Sequence, residues 1–97
     1  MKKYYPYKSI DRPEKKFYVI TNDNKKVYFG DAGYEDFTTH KDEARKQRYI
    51  VRHKKNEDFT DINSAAFWSR FYLWEKPTKK EAYENIKKKY INFFYFF

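Results

Sequence analysis

Alternation with a period of two marks the first ordered part of the chain. Phe17, Val19 and Thr21 alternate with Tyr18 and Ile20, and Val27 and Phe29 alternate with Tyr28. This is the side-chain period of a half-buried strand. Asn22, Asp23 and Asn24 separate the two runs. Asn and Asp tolerate positive φ and hydrogen-bond their own backbone, so residues 16–21 and 25–30 are predicted to form a β-hairpin closed by these three. Gly30 and Gly33 interrupt the alternation, and residues 31–39 read as loop.

The period then becomes helical. A first helix is predicted from about residue 40–42 to 54, with Thr39 or Asp42 as cap and Glu43 favouring its first turn. Residues 56–61 are a polar link. A second, short helix is predicted over residues 63–74, capped by Asp61 or Asn63. Ala65, Ala66, Phe67, Trp68, Phe71, Tyr72, Leu73 and Trp74 surround it with apolar surface. A helix apolar all round is a buried one, so this element is the expected centre of the core, Trp68 and Trp74 included. Pro77 stops it, and Thr78 to Glu81 has the spacing of a capping box. A third helix is predicted over residues 79–90 with Ala82, Tyr83, Ile86 and Tyr90 as its apolar stripe. Residues 1–14, which contain Pro6 and Pro13, read as an extended N-terminal arm, and residues 92–97 as an aromatic tail. The expected fold is a small single α+β domain over residues 15–91, an N-terminal β-hairpin packed on about three helices.

Composition decides what fills that domain. Leu73 is the only leucine among 97 residues, whereas aromatics make up 24%. The core is therefore expected to be built of rings, each burying about 150–250 Å². A mean hydropathy of -1.18 points towards disorder, but disordered chains are poor in aromatics, so a folded domain is expected. The chain has no cysteine, which excludes disulfides, thiolate chemistry and Cys-based zinc sites. A small secreted domain usually needs such staples, so a reducing compartment is expected. No apolar stretch follows Lys2 and Lys3, so the N-terminus is not read as a signal peptide. No apolar run approaches the ~20 residues of a membrane span.

The formal net charge is +8, and charge of this size attracts polyanions. Nucleic acid is the leading expected partner, ahead of an acidic protein surface or an anionic membrane. The charge is patterned. At about 100° per residue, Lys41, Arg45, Arg48, Arg52 and Lys55 fall within about 80° of arc on the first helix. Ala44, Ile50 and Val51 fall on another sector, expected to face the core. Clustered Arg and Lys along one helix face are the electrostatic footprint of a nucleic-acid binder; the plainer reading is a solvated face. Lys87, Lys88 and Lys89 form a second basic cluster. Phe93, Phe94, Tyr95, Phe96 and Phe97 are too apolar for a free surface and are read as assembly contacts with a neighbouring subunit.

Catalytic signals are absent from the sequence. Asp31, Glu35 and Asp36 near His40 match no metal-binding loop, and Gly30 and Gly33 do not make a phosphate-binding loop. His40 and His53 have no cysteine to activate, and Ser9, Ser64 and Ser69 have no nucleophile-elbow context. Trp68 and Trp74 read as core ahead of base-stacking platforms. Arg70, set among aromatics, needs a partner, and Asp36 or Asp58 are the nominated ones. The expectation is a non-enzymatic protein without metal or cofactor.

An ordered series of motifs adds a resemblance. Phe29-Gly30, Gly33-Tyr34-Glu35-Asp36-Phe37, His40-Lys41-Asp42, Arg45-Lys46-Gln47-Arg48-Tyr49-Ile50, Arg52-His53-Lys54-Lys55, Ala66-Phe67-Trp68-Ser69-Arg70 and Leu73-Trp74 follow one another within a stretch of about residues 15–77 that the resemblance covers. In these motifs the chain resembles a family of small basic proteins of unknown function from large nucleocytoplasmic DNA viruses of algae and protists and some phages. It departs at the Phe-rich tail and at Ala65-Ala66, where Ala-Gly or Ala-Asn is the expected pair. The resemblance implies a viral protein of the host cytoplasm or the virion and supplies no active site. Two functions are therefore expected. The first is sequence-independent binding of nucleic acid through phosphate contacts at Lys41, Arg45, Arg48, Arg52 and Lys55, with Lys87, Lys88 and Lys89 secondary. The alternative is a minor capsid or virion structural protein, with arm and tail gripping neighbours and the charge facing acidic capsid proteins.

Overall fold

Three antiparallel strands open the fold in the order β1-β2-β3: β1 (Tyr7–Lys8), β2 (Lys15–Ile20) and β3 (Lys26–Asp31). The computed structural model describes residues 2–90. The predicted hairpin is β2–β3, with Phe17 opposite Phe29 and Tyr18 opposite Tyr28. Its turn is the predicted one. The Asn24 N–H donates to the Thr21 carbonyl at 3.0 Å, and Asn24 takes the left-handed conformation at φ 64°, as a three-residue hairpin loop requires.

The N-terminal segment is not a free arm. Tyr7 pairs with Tyr18 and Lys8 with Phe17, adding a third strand. Tyr4 is 1% exposed; its N–H donates to the Ile20 carbonyl at 2.9 Å and its hydroxyl to Asn63 Oδ1 at 2.7 Å. A two-residue strand is too short to show alternation, so the sequence pattern could not reveal it.

Four helices follow: α1 (Phe37–His40), α2 (Glu43–Lys54), α3 (Ala65–Trp68) and α4 (Lys79–Lys89). α1 lies inside the predicted loop, its start fixed by Asp36, which accepts the Thr38 N–H at 3.0 Å. α3 is capped by Ser64, whose Oγ accepts the Phe67 N–H at 3.2 Å; the expected caps, Asp61 and Asn63, lie three residues and one residue earlier. After Trp68 the helix widens into a π turn over Ser69–Leu73. α4 starts at the predicted cap, Thr78, whose Oγ1 accepts the Glu81 N–H at 3.2 Å and donates to Glu81 Oε1 at 2.9 Å, so Glu81 meets the cap hydroxyl where a capping box would have it accept the backbone N–H.

One sheet face, carrying Phe17, Val19 and Phe29, packs on the helices. Trp68 sits at the centre, fully buried, its indole N–H donating to the Ile62 carbonyl at 2.8 Å. Phe67, Leu73, Ala82 and Ile86 complete the shell. The core is built of rings, as composition required. Trp74 is only half-buried at its margin. The other sheet face carries a tyrosine row, Tyr7, Tyr18 and Tyr28, with centroids 5.7 and 5.5 Å apart. Lys26 lies 4.7 Å over Tyr18 and Arg12 4.5 Å over Tyr28. Among the described residues no helix is long and apolar enough to cross a membrane.

Candidate functional site

Asp42 starts α2 by accepting the N–H groups of Ala44 at 3.0 Å and Arg45 at 3.3 Å. The inward face of the helix is Tyr49, buried, flanked by half-buried Lys46, Ile50 and His53. Ala44 and Val51, expected inside, are exposed, Val51 by 61%. The reason is the aromatic partner available to Tyr49. It stacks on Trp74 at 4.3 Å and on His53 at 4.2 Å, and His40 closes the series against Trp74 at 5.2 Å. Burial, with Glu57 adding to it, pushes the Tyr49 phenol well above its ordinary value. Lys46 occupies the inward face by laying its stem along it and donating from Nζ to the Glu75 carbonyl at 2.9 Å, as long cationic side chains do.

This orientation aims Arg45, Arg48 and Arg52 at a cleft of about 580 Å³. The cleft is lined by α2, by β3 with the start of β2, by residues 34–36, and by the start of α3 with the π turn. Every carboxylate lining the cleft has a side-chain partner of its own. Asp31 is 2.9 Å from Lys15 and Asp36 2.6 Å from Lys16; Glu35 is 3.5 Å from Arg45, and Glu57 2.9 Å from the His53 ring. Arg48 and Arg52 have no ion pair among the described residues and stand exposed. They are the uncompensated charges of the cleft.

The other predicted contacts are placed differently. Lys41 is not on α2; it ends α1 in the left-handed conformation at φ 55°. Lys55 follows α2 and shares a shallow outer groove with Arg48, Val51 and Arg52. Lys87 lies 3.7 Å from Glu84 and 5.2 Å over the Tyr83 ring. Lys89 lies 5.3 Å over Phe71, and Lys88 is exposed. None of these three lines the cleft. Phe93, Phe94, Tyr95, Phe96 and Phe97 lie outside the described residues.

Two further expectations are corrected or resolved. Arg70 pairs with Glu75 at 2.8 Å, not with Asp36 or Asp58. Asp36 is held by Lys16, and Asp58 accepts the Thr60 N–H at 2.9 Å. Asp31, Glu35 and Asp36 point to different lysine and arginine partners, and among the described residues no cluster of metal-type ligands forms. His40 Nδ1 accepts the Asp42 N–H at 2.9 Å, and its Nε2 is buried without a hydrogen-bond partner.

Sequence reasoning missed Tyr34. It is 75% exposed and lines the same cleft as Arg45, Arg48 and Arg52. Its signal was a large ring in a polar loop directly after Gly33, where nothing in the local pattern needs an apolar side chain.

A protein-family profile described as a family of unknown function (DUF5754) matches residues 7–53. Over that stretch the chain is similar to this family. The DUF5754 match begins at β1, earlier than the first quoted motif at Phe29, and ends within α2, before α3. It takes in all three strands, residues 32–36 and Arg45, Arg48 and Arg52, just under half of the chain. No curated protein and no solved structure matches the chain.

Proposed function

We propose that this is a small, non-enzymatic nucleic-acid-binding protein that holds phosphates along α2 without reading sequence. The observation that carries the reading is the charge accounting of the cleft. Its carboxylates are each engaged, which leaves the Arg48 and Arg52 guanidiniums, one helical turn apart, to seek an external anion. Arg forks match phosphate bidentately. Arg45 extends the row, Lys41 and Lys55 flank it, and Lys87, Lys88 and Lys89 provide secondary contacts. On the resemblance to viral proteins, the setting proposed for this activity is the host cytoplasm or the packaged genome of a virion. The alternative, a virion structural protein, loses the support of a free arm because Tyr4 is buried and Tyr7–Lys8 is paired; it rests on the aromatic tail.

A salt titration tests the reading. Neutralising about four or five phosphates gives log K a slope near −4 against log salt. Replacing Arg45, Arg48 and Arg52 together by Gln reduces that slope by about two to three, with helicity retained because Gln is a good helix former. Phosphate contacts carry no sequence information, so random and defined sequences bind alike. Absence of binding at about 50 mM salt, where electrostatic association is strong, overturns the reading in favour of an acidic protein partner.

A further inference from the structure

We propose that the bound nucleic acid is single-stranded and that one base enters the cleft against Tyr34 while its flanking phosphates rest on Arg48 and Arg52; this rests on the phosphate-binding reading of α2. A duplex would use only half of what the site offers. Its phosphates could follow the outer face of α2, but its bases are paired and stacked and could not reach a concave space. The cleft, at about 580 Å³, is a built concavity within the ~300–1,000 Å³ range of small-ligand sites.

Its lining separates base from phosphate. Asp31, Glu35 and Asp36 line it, Asp31 and Glu35 with exposed carboxylates and Asp36 buried. Their charges are neutralised by Lys15, Arg45 and Lys16, yet the exposed carboxylates of Asp31 and Glu35, each accepting from one cation, keep further lone pairs. An entering phosphate gains nothing beside these oxygens. The amino groups on base edges are donors and suit them. The unpaired guanidiniums stand on the α2 wall, four residues and so about 6 Å apart along the helix, a spacing of the order of that between successive phosphates of an extended strand. Tyr34, 75% exposed, gives a ring no intramolecular role accounts for. A base stacked on an aromatic ring gains about 1–3 kcal/mol regardless of sequence. Gly33 beside it has open space around it, so residues 32–34 present no neighbouring bulk to block a base.

The test compares a labelled single-stranded homopolymer with a duplex of equal length by fluorescence anisotropy, at one salt concentration. The single strand is expected to bind at least about tenfold more tightly. Tyr34→Ala is expected to weaken single-strand binding by about 5- to 100-fold, the range of one base stack, and to leave duplex binding unchanged. Tyr34→Phe is expected to retain wild-type affinity, since the ring and not the hydroxyl stacks. Arg48→Gln with Arg52→Gln weakens both ligands and lowers the salt slope. Equal binding of both forms, or an unaffected Tyr34→Ala, overturns the single-strand inference while α2 phosphate binding stands. Loss of all binding at low salt in the wild type overturns both. Tyr34 is largely solvent-exposed, so a fall in affinity is not confused with unfolding, and circular dichroism of each variant verifies this.

Discussion

Tyr49 and Trp74 stack face to face, their ring centroids 4.3 Å apart and their planes within 2° of parallel. Tyr49 belongs to α2 and Trp74 follows the π turn, so this pair fixes the arginine-bearing helix to the helical layer. Without it, the principal remaining ties of α2 to that layer are the Lys46 bonds to Glu75.

Replacing Tyr49 by Ala is therefore expected to cost about 3–4 kcal/mol, the range for deleting a buried ring. Tyr49→Phe keeps the stack and removes only the phenol hydroxyl, a loss of about 1 kcal/mol at most. Urea denaturation of the two variants separates the contributions. Similar losses in both would show that the hydroxyl, not the stack, holds α2.

Asp36 is 3% exposed and serves two elements: it caps α1 through the Thr38 N–H and hydroxyl, and it pairs with Lys16 of β2 at 2.6 Å. Removing one member of a mostly buried pair leaves the other charge uncompensated, which costs about 3 kcal/mol or more. Asp36→Ala should thus destabilise strongly. The double change with Lys16→Met should recover part of the loss, and a double-mutant cycle measures it. Strict additivity of the two changes would contradict the coupling.

Gly30 adopts φ +77°, and a Cβ there would stand 2.7 Å from Leu73 Cδ1. The left-handed conformation costs an L-residue about 1–2 kcal/mol, and Leu73 is a core side chain only 1% exposed. Gly30→Ala should cost about 2–4 kcal/mol once crowding of the core is added. Gly33→Ala, where nothing approaches within 4 Å, should be close to neutral. Thermal melts of the pair test the contrast directly.

Glu75 gives the domain an acid-sensitive tie. Burial would raise its carboxyl, but the Arg70 hydrogen bond and charge, with Lys46 and Lys89, outweigh burial and hold it below the ordinary glutamate value of 4.5. A group whose folded pKa is depressed binds fewer protons folded than unfolded. Its contribution is complete above 4.5 and is lost as pH falls below that value through the folded pKa. Stability should decline on acidification in that window, and Glu75→Gln should flatten that part of the curve. Urea midpoints across the acid range check the slope, and an unchanged acid limb in the variant would exclude Glu75 as its source.

The sequence by itself determined the hairpin, the caps of α2 and α4, the ring-built core and the basic row, because each is set by neighbours within a few residues: side-chain alternation, Asn-Asp-Asn at the turn, Asp42 and Thr78 at helix starts, and an i, i+4 charge pattern. It gave the extent of the second helix but not its form, since apolar residues all round satisfy an α turn and the wider π turn of Ser69–Leu73 equally. Only the tertiary structure decided the rest. Tyr4 and Tyr7 joined the core and the sheet through partners far along the chain. Val51 was left in solvent because a ring on Tyr49 had Trp74 to meet. Which arginines remain unpaired depends on Glu35, Lys15 and Lys16 converging across the cleft. Local pattern fixes where a charge sits on a helix; whether it is neutralised depends on folded distances, and so the candidate site became legible only once the elements lining the cleft were in place.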